Sequence, residues 1–353
     1  MTENRTVAVE GDGRGPSPSG IDVHGHGVPA AFLESQRRSR RHGVGVEFDA
    51  GAGTYVVTLP GRPPLRPISR RMLDFSERLA WLDEQGLQRQ LVAPWLDVHG
   101  QELDAASGQD WVRELNDHLA EAVAPSSGRL LAHATLHLAD AAAAAKELER
   151  CRRDLGMRGC MIPTHVLGRD LSDRSYDALW ERAEELRIPV VLHPPTTGPS
   201  SRMEGIREFG GLFGRLIDTT TVATQLLVAG VLERFPTLDI VLVHGGGFLP
   251  YQSGRLDQEQ AGRPNRWGVE GFLSDYVRRF NFDTVLMSPA SIRFLVGFAG
   301  PDRVLLGSDY PFTSAGPGVV GALHDAALDG PTTAAVDHDN AVRLYAGDGA
   351  SWA

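Results

Sequence analysis

Five side chains in this sequence have the types and placement to do metal chemistry. In "IDVHGHGVP", residues 21–29, His24 and His26 stand two apart in an apolar, glycine-bounded run, although the chain holds only 12 histidines in 353 residues. On a β-strand, residues i and i+2 project to one face, so two imidazoles at this spacing form half of a metal site. His193 follows in "VVLHPP", His244 in "VLVHGGG" and Asp309 in "LLGSDYP". Each closes an apolar run, and Gly or Pro follows at once or nearly so. A lone buried histidine is more often a hydrogen-bonded core residue, but that reading does not explain five such residues at the ends of four separate runs. Imidazole nitrogens with one carboxylate suit a divalent ion, Zn²⁺ first and Mn²⁺ or Fe²⁺ with lower preference. A catalytic ion keeps one position open for water or substrate, so one histidine need not bind it. His244 can then stand beside the ion as general acid or base. Asp309 can bind the ion and also carry a proton.

The elements that must hold these residues are short and apolar. Eight strand candidates recur along the chain: 21–26, 87–94, 130–138, 159–166, 188–195, 239–247, 280–288 and 303–312. Helix-like stretches separate them. Over 71–85, Met72, Phe75, Leu79 and Leu82 share one helical face, and "DALWERAEELRIP" (177–189) stops where Pro189 forbids more helix. Strands alternating with helices pair in parallel, and eight such units close most simply into a (β/α)₈ TIM barrel, whose active sites sit at the C-terminal strand ends. A doubly wound open sheet is the rival, but "VHGHGVP" lacks its glycine-rich phosphate fingerprint. The first connection is too long for a simple loop. It contains "VGVEFDAGAGTYVVTLPGRP" (44–63), two alternating runs about a Gly-rich turn, which reads as a β-hairpin. The expected organisation is a disordered N-terminal arm over 1–20 and a barrel over 21–348, with a lid inserted over 27–87.

Composition narrows the partners. The formal charge of −10 argues against nucleic acid and leaves small molecules open. Cys151 and Cys160 are the only cysteines, so no disulfide scaffold is implied and a reducing cytoplasm fits. No apolar run approaches the roughly 18 residues of a membrane span, and residues 1–20 lack the apolar core of a secretory signal.

The chain resembles the amidohydrolase superfamily, in the branch of α-amino-β-carboxymuconate-ε-semialdehyde decarboxylase. The matching segments are "DVHGHGVP", "LNDHLAE", "ELERCRRDLGMRGCMIPTHV", "VLHP", "GVLERFPTLDIVLVHGGGFLPYQSGRLD", "LLGSDYPF" and "DNAVRLYAGD", in family order from about residue 21 to 348. The resemblance implies that His24, His26, His193 and Asp309 bind one divalent metal and that His244 transfers protons beside it. It places Arg255 where the decarboxylases use an arginine across a dimer interface to hold a substrate carboxylate, which implies a homodimer. His165 matches a family segment but is not a ligand there. The sequence departs from the kynurenine-route enzyme in having Pro195 and Thr196 after "HP", where that enzyme has an aromatic residue. "TYVVT" also lacks the lid arginine found next to an aromatic residue, although Arg62, Arg66, Arg70 and Arg71 lie nearby. Benzoate-type relatives often replace the first histidine of the pair by Glu, so His24 leans away from them. The expected activity is metal-dependent, non-oxidative decarboxylation of a small unsaturated or aromatic carboxylic acid. The alternative is a hydrolase or hydratase using the same metal-activated water on an amide, lactone or C=C bond. A non-catalytic metal-binding descendant is a third reading, against which the intact ligand set speaks.

Overall fold

The computed structural model describes residues 19–166, 168–196, 206, 208–263, 269, 271–312 and 318–347. Most of the expected arm over 1–20, and residue 348 at the expected barrel boundary, lie outside them. Eight strands form one parallel sheet in chain order: β1 (Gly20–Gly27), β4 (Leu87–Pro94), β5 (Leu130–Ala134), β6 (Gly159–Pro163), β7 (Val190–His193), β8 (Ile240–Leu242), β9 (Asn281–Asp283) and β10 (Val304–Leu305). The last strand returns to the first. Val23 N donates to Leu306 O (2.9 Å), Asp309 N to His24 O (2.7 Å) and His26 N to Tyr310 O (2.7 Å), which closes the (β/α)₈ barrel.

The apolar runs are longer than the strands they form. Paired backbone in β9 and β10 amounts to only 3 and 2 residues. The remainder of each run leaves the ladder and becomes loop at the C-terminal face. Ile21, Val23, Leu91, Met161, Val191 and Val241 gather in one buried cluster with Ala341, Leu344 and Tyr345 of the helix Asn340–Tyr345. A larger apolar layer packs the strands against the surrounding helices. The expected helix over 71–85 is broken in two, Arg70–Leu73 and Phe75–Gln85. Asp74 sits between them in an extended conformation and its carboxylate accepts from Ser76 N and Glu77 N, so it caps the second helix and cannot continue the first.

The long first connection contains the expected hairpin, β2 (Gly45–Asp49) against β3 (Thr54–Thr58), paired antiparallel from Gly45↔Thr58 to Asp49↔Thr54. It carries its own core: Phe32, Val46 and Val57 pack with Trp111 and Leu115 of the helix Ala105–Val123, and with Trp95 beyond β4. Trp111 Nε1 donates to Val98 O at 2.8 Å, so the indole is both buried and satisfied. The segment after β3 runs back along it, with Leu65 N on Val57 O and Ile68 N on Tyr55 O, each at 2.8 Å. Arg66 lies between those two anchor points.

Candidate active site

Four barrel strands and the loops beyond them bring the candidate residues together. His24 and His26 come from β1 and His193 ends β7. His244 begins the turn after β8, and Asp309 lies four residues past β10. One donor atom from each of His24, His26, His193 and Asp309 falls within 4.8 Å of every other. The spacing argument for β1 holds, because His24 Nε2 and His26 Nε2 are 3.1 Å apart. Asp309 Oδ1 is 3.1 Å from His26 Nε2 and 3.4 Å from His24 Nε2. The His193 ring centroid lies 5.0 Å from that of His24 and 4.8 Å from that of His26. His244 completes the ring of imidazoles, with its Nε2 3.7 Å from Asp309 Oδ2.

Two of these residues sit on unusual backbone. His244 and Asp309 have φ of 56° and 57°, the left-handed region that non-glycine residues rarely adopt. Holding them there costs roughly 1–3 kcal/mol each, a kind of strain that clusters at functional sites. Gly307 permits a second close approach. A Cβ at 307 would fall 2.9 Å from Asp283 Cβ and 3.2 Å from His24 Cβ, where no room exists for it.

Asp283 ends β9 and was not among the residues singled out from sequence. Its Oδ2 accepts from His24 Nδ1 at 2.7 Å, while Oδ1 accepts from Gly245 N (3.0 Å) and Val285 N (3.1 Å). A carboxylate on Nδ1 keeps the proton there and leaves the Nε2 lone pair facing the cluster, the arrangement by which metal-binding histidines are oriented. His193 is fixed in the same sense, since its Nδ1 bonds Pro194 O at 2.8 Å.

The donor set fits a divalent ion. His193 Nε2 is a buried side-chain atom with no hydrogen-bond partner, and buried polar atoms are seldom left so. The charges follow from the crowding. Burial opposes a proton on His24, but Asp309 and Asp283 outweigh it and push that imidazole up to about 10. Burial holds His26 down at about 4 and drives His193 well below its ordinary value, with neighbouring imidazoles adding to the effect. Burial raises the Asp309 carboxyl, yet His24, His244 and His26 overcome this and hold it well below the usual carboxylate range.

Beside the cluster lies a cavity of about 240 Å³, lined by His193 and Asp309 together with Arg66, Trp95, Arg215 and Phe312. Trp95 and Phe312 supply aromatic surface that the "HPPT" sequence does not. The Phe312 ring lies 5.5 Å from that of His26. The Arg66 guanidinium carbon lies 4.6 Å from the Phe312 ring centroid and 4.8 Å from that of Trp95. Burial and Arg215 lower the Arg66 pKa, while Asp97 and Asp309 oppose the shift. A second cavity, of about 440 Å³, shares Leu96 with the first and includes Arg62 and half-buried His165 in its wall. Arg62 is paired with Glu102. Arg70 and Arg71 are exposed. Arg255 is exposed on the helix Leu249–Ala261 and is not part of either cavity wall.

The chain is similar to several known proteins along most of its length. The chain is 26% identical over 294 residues to 2-amino-3-carboxymuconate-6-semialdehyde decarboxylase of Dictyostelium discoideum, covering 83% of this chain and 81% of that protein. It is 31% identical over 286 residues to Decarboxylase orsB of Emericella nidulans, covering 76% and 82% of the two chains. The crystal structure of 5-carboxyvanillate decarboxylase from Sphingomonas paucimobilis superposes with a TM-score of 0.78 at 27% identity, over 94% of this chain and all (100%) of that one. Residues 21–347 match the amidohydrolase family model, and the chain belongs to the amidohydrolase family.

Proposed function

We propose that this protein is a metal-dependent, non-oxidative decarboxylase of a small unsaturated or aromatic carboxylic acid. The observation that carries the reading is the convergence of one ligand atom from each of His24, His26, His193 and Asp309 within 4.8 Å, with His193 Nε2 otherwise unpartnered. Decarboxylase relatives that align along most of the chain support it. His24, His26, His193 and Asp309 would hold the ion, with Zn²⁺ the first expectation and Mn²⁺ or Fe²⁺ the others. When bound, a divalent ion supplies positive charge that orients a carboxylate and stabilises negative charge developing in the transition state.

The chain's own groups then divide the remaining work. Asp283 holds the His24 ring in place through Nδ1. His244, with its Nε2 near Asp309 Oδ2, carries the proton that the substrate carbon takes up as its bond to the carboxylate breaks and CO₂ leaves. Trp95 and Phe312 offer faces for a flat, unsaturated skeleton and keep water from it. The inserted segment 27–87 acts as a lid through Arg66. Arg255, exposed on its own subunit, would hold substrate only across a homodimer interface. The working compartment is the cytoplasm, in keeping with two unpaired, buried cysteines.

The test is mass spectrometry of metal-loaded protein incubated with unsaturated and aromatic carboxylic acids, amides and lactones. Loss of CO₂ from an acid, stopped by a chelator, is the expected result. Gain of water instead would move the protein to the hydrolase or hydratase reading. Turnover unchanged in His244→Ala with the metal still bound would overturn the proton-transfer assignment.

A further inference from the structure

His26 differs from His24 and His193 in what stands behind its ring. Asp283 holds His24 through Nδ1 and the Pro194 carbonyl holds His193, whereas His26 Nδ1 is buried with no hydrogen-bond partner. What aims His26 is its backbone, together with the rings packed around it. That backbone lies where the barrel seam runs out. Val23 N donates to Leu306 O, Asp309 N to His24 O and His26 N to Tyr310 O, so the next N–H in line should meet His26 O. Pro311 has no N–H to give, and Phe312 N is spent on Asp309 O at 2.8 Å. The sheet leaves that rung unmade.

Arg78 makes it from outside. It lies in the helix Phe75–Gln85, is fully buried, and donates from Nη2 to His26 O and from Nη1 to Gln90 Oε1 at 2.7 Å. The Gln90 amide passes the tie to Asp22 Oδ2 at 2.6 Å, and Asp22 accepts from Ser308 N and Oγ. Ser308 precedes Asp309. The guanidinium carbon also lies 4.7 Å from the ring centroid of Tyr310, which follows Asp309. One planar fork thus bears on His26 and on both neighbours of Asp309. The two glycines that flank His26 make room for it. A Cβ on Gly25 would fall 2.5 Å from the Gln90 amide carbon, and one on Gly27 would fall 3.3 Å from Arg78 Nη2.

Packing alone does not call for a guanidinium here. The acid that faces it, Asp22, is reached only through the Gln90 amide, and burial lowers the Arg78 pKa to about 10 against the pull of Tyr310 and Asp22. An apolar side chain of like volume would fill the space without desolvating a charge, yet would leave His26 O without a donor. A lysine would keep the charge, but one ammonium cannot span His26 O and Gln90 Oε1 and still lie flat on Tyr310.

We propose that Arg78 is a positioning residue of the metal centre: by completing the seam at His26 O and bracing Ser308 and Tyr310, it sets His26 against Asp309. The proposal rests on His26 and Asp309 being ligands and not on the reaction that the ion serves. It gives the inserted segment 27–87 a task at the metal centre besides that of a lid, since the last helix of the segment carries Arg78.

The experiment titrates chelator-stripped protein with Co²⁺, whose visible absorption reports the geometry of its ligands, and with Zn²⁺ in competition with a chromogenic chelator. Arg78→Met should bind both ions roughly 10–100-fold more weakly, the range for outer partners of metal ligands, and its Co²⁺ spectrum should shift. Arg78→Lys should fall between Arg78→Met and the native protein. Leu119→Ala, in the buried face of the helix Ala105–Val123, loses stability away from the site, so its unfolding midpoint should drop while its Co²⁺ affinity and spectrum stay native. Should Arg78→Met not fold, Arg78→Lys carries the test, with weaker binding and a shifted spectrum still expected. Native affinity and spectrum in the folded arginine variants, or an equal weakening in Leu119→Ala, would overturn the proposal and leave the metal reading standing. Binding of no ion by the native protein would overturn both.

Discussion

Two buried polar clusters flank one register slip in β1, and they are built on opposite plans. The parallel pairing of β1 with β4 shifts between Asp22 and Gly25. Before the slip, Asp22 is saturated. Its Oδ1 accepts from His24 N (3.0 Å) and Ser308 N (2.9 Å), while Oδ2 accepts from Gln90 Nε2 (2.6 Å) and Ser308 Oγ (2.5 Å). Gln90 Oε1 in turn accepts from Arg78, which also donates to His26 O and lies 4.7 Å from the Tyr310 ring centroid. Burial raises the Asp22 carboxyl despite these bonds. In the other cluster His193 is buried and Asp309 half-buried, and His193 Nε2 has no hydrogen-bond partner. Both clusters are polar and lie largely inside the barrel, but one is built around a carboxylate, an amide and a guanidinium and the other around imidazoles. What separates scaffold from site is whether the lone pairs are used up within the chain.

Substitutions on each side of the slip should therefore fail in different ways. Asp309→Asn removes a candidate ligand and a proton carrier, and turnover should fall by about 10⁴, the upper end for acid–base groups. Asp22→Ala strands four donors, and denaturant melts should show a stability loss of about 3–5 kcal/mol. If Asp22→Ala left stability intact and abolished metal binding, the distinction between the clusters would disappear. Asp283→Asn sharpens the comparison, because Asp283 spends its lone pairs on the scaffold yet orients His24. It should weaken the ion by roughly 10–100-fold in chelator competition without unfolding the protein.

The smallest expected effect is one of pH. His24 in the metal-free chain is held at about 10, so it is protonated at neutrality and an ion must displace that proton. Affinity should rise about tenfold per pH unit through neutrality, and calorimetry in buffers of different ionisation enthalpy should show about one proton released. An affinity flat with pH would mean that His24 is already neutral or is not a ligand.

Much of the site was legible in the sequence because its residues sit where strands stop. Gly or Pro after His26, His193 and His244 marks the end of a ladder, and a barrel exposes those ends on one face. Asp283 escaped notice for the converse reason. "FNFDTVLMS" reads as one apolar run with a carboxylate in its middle, whereas β9 pairs over only Asn281–Asp283 and leaves Asp283 at its end. A shorter expected strand would have revealed it. The left-handed backbone of His244 and Asp309 has no sequence signal, since side-chain type does not report φ. Arg215 was invisible as well, because an arginine within a helix looks like a solvated face until the helix is docked. Arg66 stood among four candidate arginines, and only the return of the chain along β3 separates it from Arg62, Arg70 and Arg71.

Titration of chelator-stripped protein with Zn²⁺ and Mn²⁺ tests the central claim most directly. The account predicts one ion per chain, released with a proton on binding, and lost in both His193→Ala and Asp309→Asn while these variants remain folded. Binding of no ion, or binding that persists undiminished in those two variants, would contradict it.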